Sequence, residues 1–406
     1  MSLPGGGFVV SNSVFVVWLE GVAPAQFEQM PELMLLAEQG VDVCLAPLPL
    51  SEARQCYYQF LTGMGAGKLG RFDAVRPDHY VAREELEMPE GAYGRLLLDV
   101  IHNAHLSMVS IEIERVEELE QLAGSSHDFV LVRVRNAQTL ASAMLEALVQ
   151  RLRSFTAATG HLIVVTDVWN PPVHTYVNVN DFLVEIGLLE VDASSQPATI
   201  RWPETLAYGL GTGQLWINLR GREAQGVVNA GREYQEVCEA LSRELQENWL
   251  DPRTHEPVVS QVFTRDALYS GDYLFRAPDL TLVYHPGYAP SPNAVMLALD
   301  GKSIMPTTTP VEAQSEAPYA RLLAIGPVFE RGKRANARLV DVLPTLMYLL
   351  GRPVPYGIDG EVLLSLFTAS YRQQQRVEIA EDERDMLSEE EEGMIVERLR
   401  DLGYLG

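Results

Sequence analysis

The sequence predicts an α/β fold: a mostly parallel sheet with helices on both faces, interrupted by a smaller inserted lobe. Three observations predict it. Apolar, β-branched runs alternate with helix-length segments from residue 14 to residue 188, the pattern of strands covered on both faces by crossover helices. The character changes near Ser194, where short strands are separated by long irregular pieces. An apolar run at Arg321–Ile325 and the helix-length Leu339–Leu350 then return the chain to the sheet.

The elements follow in order. Val14–Leu19 reads as the first buried strand, Pro24–Gln39 as a helix with Gly40 at its C-cap, and Val41–Leu45 as the second strand. Glu52–Thr62 reads as a helix that stops at Gly63 and leads into the glycine-rich loop GMGAGKLG. Tyr93–His105 reads as a helix and Leu106–Ile113 as a strand. Phe129–Val134 is another strand, and Ala137–Phe155 is a long amphipathic helix. Leu162–Asp167 is a strand that stops at an aspartate, and Asp181–Leu188 is the next helix. Within the lobe, Thr199–Trp202, Gln214–Asn218 and Leu280–His285 read as short strands, and Tyr234–Glu247 as a helix. A polar, acidic linker is expected from Gln373 to Asp385. A final helix starts at Ser388, with a capping box to Glu391. The organisation expected is a core in two parts, 1–193 and 316–372, an inserted lobe at 194–315, and an acidic linker with a C-terminal helix at 373–406.

Bulk numbers exclude several classes. The chain has 406 residues, 47% hydrophobic and 21% charged, with a formal net charge of -24. That is globular composition with room for a large core. Nucleic-acid binders carry the opposite sign, so no nucleic-acid partner is expected, and anionic membrane is disfavoured for the same reason. The three cysteines, Cys44, Cys56 and Cys238, are odd in number and widely spaced. They argue against a disulfide framework and for a reducing compartment. MSLPGGGFVV lacks a basic n-region and a cleavage site. The expectation is a cytoplasmic protein with no membrane span.

Longer segments carry a resemblance. WPETLAYGLGTGQLWINLRGREAQGVV is followed in order by DPRTHEPVVSQVF, YLFRAPDLTLVYHPGY and ARLVDVLPTLMYLLGRPVPYGIDGEVL, and the chain closes with SEEEEGMIVERLRDLGYLG. This succession resembles the type I phosphodiesterase/nucleotide pyrophosphatase branch of the alkaline phosphatase superfamily, over most of the chain. The resemblance implies an alkaline phosphatase-like fold. It also implies a two-metal site of six acidic or imidazole ligands around a threonine or serine nucleophile, in which the paired metals activate the nucleophile and clamp the phosphoryl oxygens.

Carried over position by position, the resemblance implies a frame without its chemistry. The first metal-ligand position, after the first strand, falls on Glu20 in WLEG. The nucleophile position, counted back from Leu61-Thr62-Gly63, falls on Tyr58. The aspartate and histidine expected after Phe129–Val134 are missing from RVRNAQTLASA. The aspartate-histidine-glycine triplet is Asp167-Val168-Trp169. Before Arg321–Ile325 the last histidine is missing, and Glu316 is the nearest polar candidate. The residual metal candidates are therefore Glu20, Asp167 and Glu316, and all three expected imidazoles are gone. A metal on one or two carboxylates would be weak and largely hydrated. No cofactor is expected; a weak divalent ion (Zn, Mg or Mn) belongs only to an alternative reading.

Other constellations weigh less. His102 and His105 stand three apart on a helix, with no third ligand nearby in sequence. The loop GMGAGKLG lacks the Lys-Ser/Thr ending of a P-loop and reads as a structural turn. Cys56 has no histidine near it to make a thiolate. Arg222 and Glu223 read as a structural ion pair. His174, after Asp167, could line a site or serve as a loop hydrogen-bonder. Arg133 and Arg135 alternate to one face of a strand at its carboxyl end, where the site belongs. They are candidates to neutralise a vacated metal site, alongside the plainer reading of a solvated strand end or a salt bridge. The cleft-lining candidates are thus Tyr58, Arg133, Arg135, Trp169 and His174. The leading expectation is a catalytically degenerate family member that binds a ligand or a protein partner. The alternatives are an active metal-dependent phosphodiesterase with non-standard ligands and a metal-free binder of a phosphorylated small molecule.

Overall fold

A computed structural model describes residues 13–22, 24–46, 53–69, 72, 75–78, 81–84, 108–113, 128–135, 137, 140–156, 160–166, 173–192, 194–195, 198–307 and 320–380. The expected helix Tyr93–His105 with His102 and His105, and the C-terminal helix, lie outside these residues.

The core is a seven-stranded sheet. From edge to edge the order is Lys333–Arg338, Val41–Ala46, Ala320–Ile325, His161–Thr166, Val14–Leu19, Phe129–Val134 and Met108–Ile113. All neighbours pair in parallel except Ala320–Ile325, which runs antiparallel to both strands beside it. The strands are apolar because both faces are covered. Val16, Trp18, Leu131 and Val165 share one cluster with helices Ala53–Thr62 and Val342–Leu349. Val17, Leu19, Val132 and Val164 share the other with helices Pro31–Gln39 and Ser142–Thr156. Side chains alternate between the faces along each strand.

The lobe carries its own core. A four-stranded antiparallel sheet, ordered Ala207–Leu210, Gln214–Ile217, Leu280–Tyr284 and Val259–Thr264, packs against the amphipathic helix Arg232–Glu247 through Cys238, Leu241 and Leu245. Helix Val179–Glu185 belongs to the same cluster. Its start is set by Asn178, whose side chain accepts from the amides of Asn180 and Asp181.

Local chemistry moved several boundaries. The segment read as one helix from Pro24 is two, Pro24–Glu28 and Pro31–Gln39. Met30, held before a proline, sits at φ -110° and ψ 93°, and a residue in that position is pushed out of the helical region. The edge strand Lys333–Arg338 escaped the sequence reading. KRANAR is exposed or half-exposed throughout and so carries no apolar signature.

One core residue makes stability depend on pH. His161 opens the central strand and is fully buried, with its ring edge-on to Phe329 at 5.7 Å. Among the described residues, neither ring nitrogen has a hydrogen-bond partner. Burial pushes its pKa down to about 4. The folded state then binds fewer protons than the unfolded chain between pH 6.5 and 4, so this contribution is intact above pH 6.5 and is lost as the pH falls toward 4. The shift corresponds to about 3 kcal/mol. Urea melts of wild type and His161→Phe at pH 7.5 and 4.5 are expected to show the variant losing less stability on acidification. Equal losses would refute this account.

Candidate functional site

In open α/β sheets, ligands collect at the carboxyl ends of the strands. Here strand Val14–Leu19 lies between Phe129–Val134 and His161–Thr166, with Leu19 level with both Val134 and Thr166. The chain leaves each strand at the same height. Glu20 follows Leu19, and its amide donates to the Val134 carbonyl at 3.0 Å. Gly21, at φ 76°, turns the chain away in a conformation that favours glycine.

The Glu20 carboxylate is buried, and Arg133 reaches it. Arg133 lies level with Trp18 in the neighbouring strand. Its Nε donates to Glu20 Oε1 at 2.7 Å, and its Nη2 also contacts that oxygen. The guanidinium carbon sits 4.0 Å from the centre of the Tyr57 ring. Tyr57 in turn meets Trp18 edge-on at 5.4 Å, and Phe60 packs on Trp18 at 4.9 Å. The permanent charge of arginine suits this place, because it holds a carboxylate and stacks on an aromatic face at the same time.

Of the residues singled out in the sequence, Glu20 and Arg133 are thus brought together. Arg135 lies in the turn after the strand and is exposed. Asp167, Trp169 and Glu316 lie outside the described residues. Tyr58 is in helix Ala53–Thr62, but its side chain lies outside them too. The sequence reading missed Tyr57. The signal was available, since residues three or four apart share a helix face, and Tyr57, Phe60 and Leu61 all pack with the sheet-facing cluster.

His174 is a loop hydrogen-bonder. Its Nδ1 lies 2.9 Å from the Thr175 hydroxyl, which also accepts from Arg253 Nη2 at 2.8 Å. Arg253 also clasps the buried Asp251, and Tyr288 donates to the same carboxylate at 3.0 Å. Hydrogen bonds from Arg253 hold the Asp251 carboxyl down to about 2. His174 is half-buried, and any side chain at Gly287 would collide with its ring: a Cβ there would lie 2.1 Å from Nε2.

Two further candidates resolve into structure. In the glycine-rich loop, the Gly65 amide donates to Asp359 Oδ2 at 2.8 Å, and Lys68 Nζ bridges Asp359 Oδ1 and the Gly357 carbonyl, each at 2.7 Å. A protein carboxylate thus takes donors that a phosphate cradle would offer. Arg222 binds Glu223 at 3.0 Å and both carboxylate oxygens of the fully buried Asp279, at 2.9 and 2.6 Å.

Among the described residues, no group of three or more His, Cys, Asp or Glu side chains is placed to hold a metal. Nor is any helix among them long and apolar enough to cross a membrane.

No protein-family model matches the sequence, and no curated protein matches it either. Solved structures do. The chain is similar to human ectonucleotide pyrophosphatase/phosphodiesterase 5, with a TM-score of 0.56 and 12% identity, over 88% of this chain and 100% of that one. The murine counterpart, an inactive threonine-to-alanine variant in complex with AMP, matches with the same TM-score, identity and coverage. At this identity the likeness is one of fold.

Proposed function

We propose, from the premise that this chain has the fold of an ectonucleotide pyrophosphatase/phosphodiesterase, that it is a non-catalytic relative acting through a bound ligand or protein partner. The contact between Arg133 and Glu20 carries this reading. The resemblance places a metal ligand at Glu20. A guanidinium already on that carboxylate competes with a cation for the same oxygens and adds a repulsive charge.

The residues present do not fit the two-metal site that the family implies. The three imidazoles are missing from the sequence, and tyrosine stands at the nucleophile position. In two-metal sites the ions stabilise both attacking and leaving oxygens, and this donor set gives them little to bind. Purified protein is expected to carry no stoichiometric zinc by plasma mass spectrometry and to leave an activated phosphodiester such as bis(4-nitrophenyl) phosphate intact. Turnover that a chelator abolishes, and that Glu20→Ala or Asp167→Ala removes, would instead support a hydrolase with unusual ligands.

A metal-free binder of a phosphorylated small molecule is the second reading. AMP is bound in the murine structure, and Arg133 supplies a cation at the carboxyl end of its strand in this chain. A ligand that binds only the folded state raises its stability by RT ln(1 + [L]/Kd), about 2.7 kcal/mol at a hundredfold excess over Kd. A rise in melting temperature with AMP that Arg133→Met abolishes would favour this reading over a protein partner. A cytoplasmic location goes with either one: all three cysteines are free thiols, which suits a reducing compartment.

A further inference from the structure

Away from this edge, polar side chains replace apolar ones on one face of the last three strands of the sheet. Across the three strands at that side, Arg321, Cys44 and Asn336 lie level in one row, and Asp42 and Arg334 in the next. Together with Ala335 they line an open groove of about 420 Å³. Arg321 is fixed in place: its Nε and Nη2 hold the two oxygens of Asp42 at 3.1 and 2.6 Å, and its guanidinium lies 4.2 Å over the Phe27 ring. That leaves its Nη1 amino group for the groove. Arg334 is 84% exposed, with its Nε 4.0 Å from Asp42. The single carboxylate is already engaged, while two guanidinium groups and the Asn336 amide retain donors, so the groove suits an anion.

The basic character continues along the edge strand. Residues 331–338, RGKRANAR, carry Arg331, Lys333, Arg334 and Arg338 and no acid, within a chain of net charge -24. The most acidic stretch of the sequence follows the end of the described chain, which packs on the other face of the sheet, in the cluster that Ala335 and Ala337 of the edge strand join. The described chain ends at Ala380, whose amide donates to Val354 at 2.8 Å. Five residues earlier, the Gln375 carbonyl accepts from Tyr348 at 3.0 Å. The Tyr348 ring meets Phe367, and Phe367 stacks on Phe329, two residues before Arg331. Beyond Ala380 come Glu381, Asp382, Glu383 and Asp385, then the run Glu389–Glu392. Twelve residues extend to about 40 Å, twice the roughly 20 Å length of a six-residue strand.

We propose that this groove and the basic edge strand form a docking site for the chain's own acidic segment, 381–392. The pairing places carboxylates against arginines that have donors to spare, and it covers a strand edge that would otherwise be open to another chain. It is independent of the reading of the Glu20 site.

Cys44 is a built-in reporter, since it is the half-buried thiol in the groove, whereas Cys56 and Cys238 are buried. The test is the iodoacetamide alkylation rate of Cys44, mapped by mass spectrometry in the full-length chain, with the other two thiols as controls for folding. Glu390→Lys/Glu391→Lys in the segment, or Arg334→Glu in the groove, is expected to speed Cys44 alkylation roughly fivefold, the scale set by exposed ion pairs. Combining the two reversals is expected to restore protection. Equal rates in all four proteins, or failure of the combination to restore protection, would overturn the proposal. So would protection that disappears on dilution, which would assign the acidic segment to a second copy.

Discussion

Asp279→Ala is expected to cost the lobe about 3–5 kcal/mol, the scale for breaking a buried ion pair by removing one partner. Asp279 is fully buried, and its carboxylate gathers the lobe. It accepts both terminal amino groups of Arg222, the Ile217 amide at 2.7 Å and the Tyr234 hydroxyl at 2.8 Å, while Arg265 lies 3.5 Å away. The truncation strands all of these donors at once and leaves Arg222 with only Glu223 as a carboxylate partner. Asp279→Asn keeps the shape and one acceptor and is expected to cost less. Urea melts followed by tryptophan fluorescence report the effect, because Trp216 and Trp249 belong to the same lobe core. A loss under about 1 kcal/mol for the alanine variant would mean that Glu223 alone satisfies the arginine.

The second large effect is expected at Arg133. Arg133→Met leaves the Glu20 carboxylate without its cation and removes the guanidinium from the Tyr57 ring. The two side chains are 22% and 11% exposed, so the cost sits at the lower end of the buried-pair range, about 3 kcal/mol. The double variant Glu20→Gln/Arg133→Met is expected to recover part of the loss, since position 20 then carries no charge in need of the cation. A double-mutant cycle in urea measures this coupling. Additive losses would show that the two residues act separately, and the contact would then no longer support a vacated metal site.

The fold was legible where strands are buried on both faces. Val14–Leu19 and the run Leu162–Val165 within His161–Thr166 are apolar because each is packed above and below. Lys333–Arg338 was illegible because it lies at an edge and faces water, so nothing in its composition separates it from a loop. The break before Pro31 could have been read from the proline alone. The site was legible in part. Strand alternation placed Arg133 near the carboxyl edge, and the resemblance placed Glu20 there, but neither could show that the two touch. That depends on register: Trp18 lies level with Arg133, and Glu20 follows two residues later. Alternation also grouped Arg135 with Arg133, but the strand ends at Val134, and beyond it the two-residue repeat no longer applies. Tyr57 was passed over because counting from a motif selects one position, whereas the packing of a helix selects a face.

The strand order sets a timetable for synthesis. Val41–Ala46 is made early, yet both of its neighbours, Ala320–Ile325 and Lys333–Arg338, come from the last quarter of the chain. While the ribosome makes the intervening residues, this apolar strand has two open edges and no final partner. Such long-range pairings slow folding, and exposed strand edges invite association. The lobe, whose four strands and helix lie within 207–284, can close on itself before the sheet that carries it is finished. A chain cut short before residue 320 is therefore expected to hold a folded lobe on an unfinished core and to aggregate through that core.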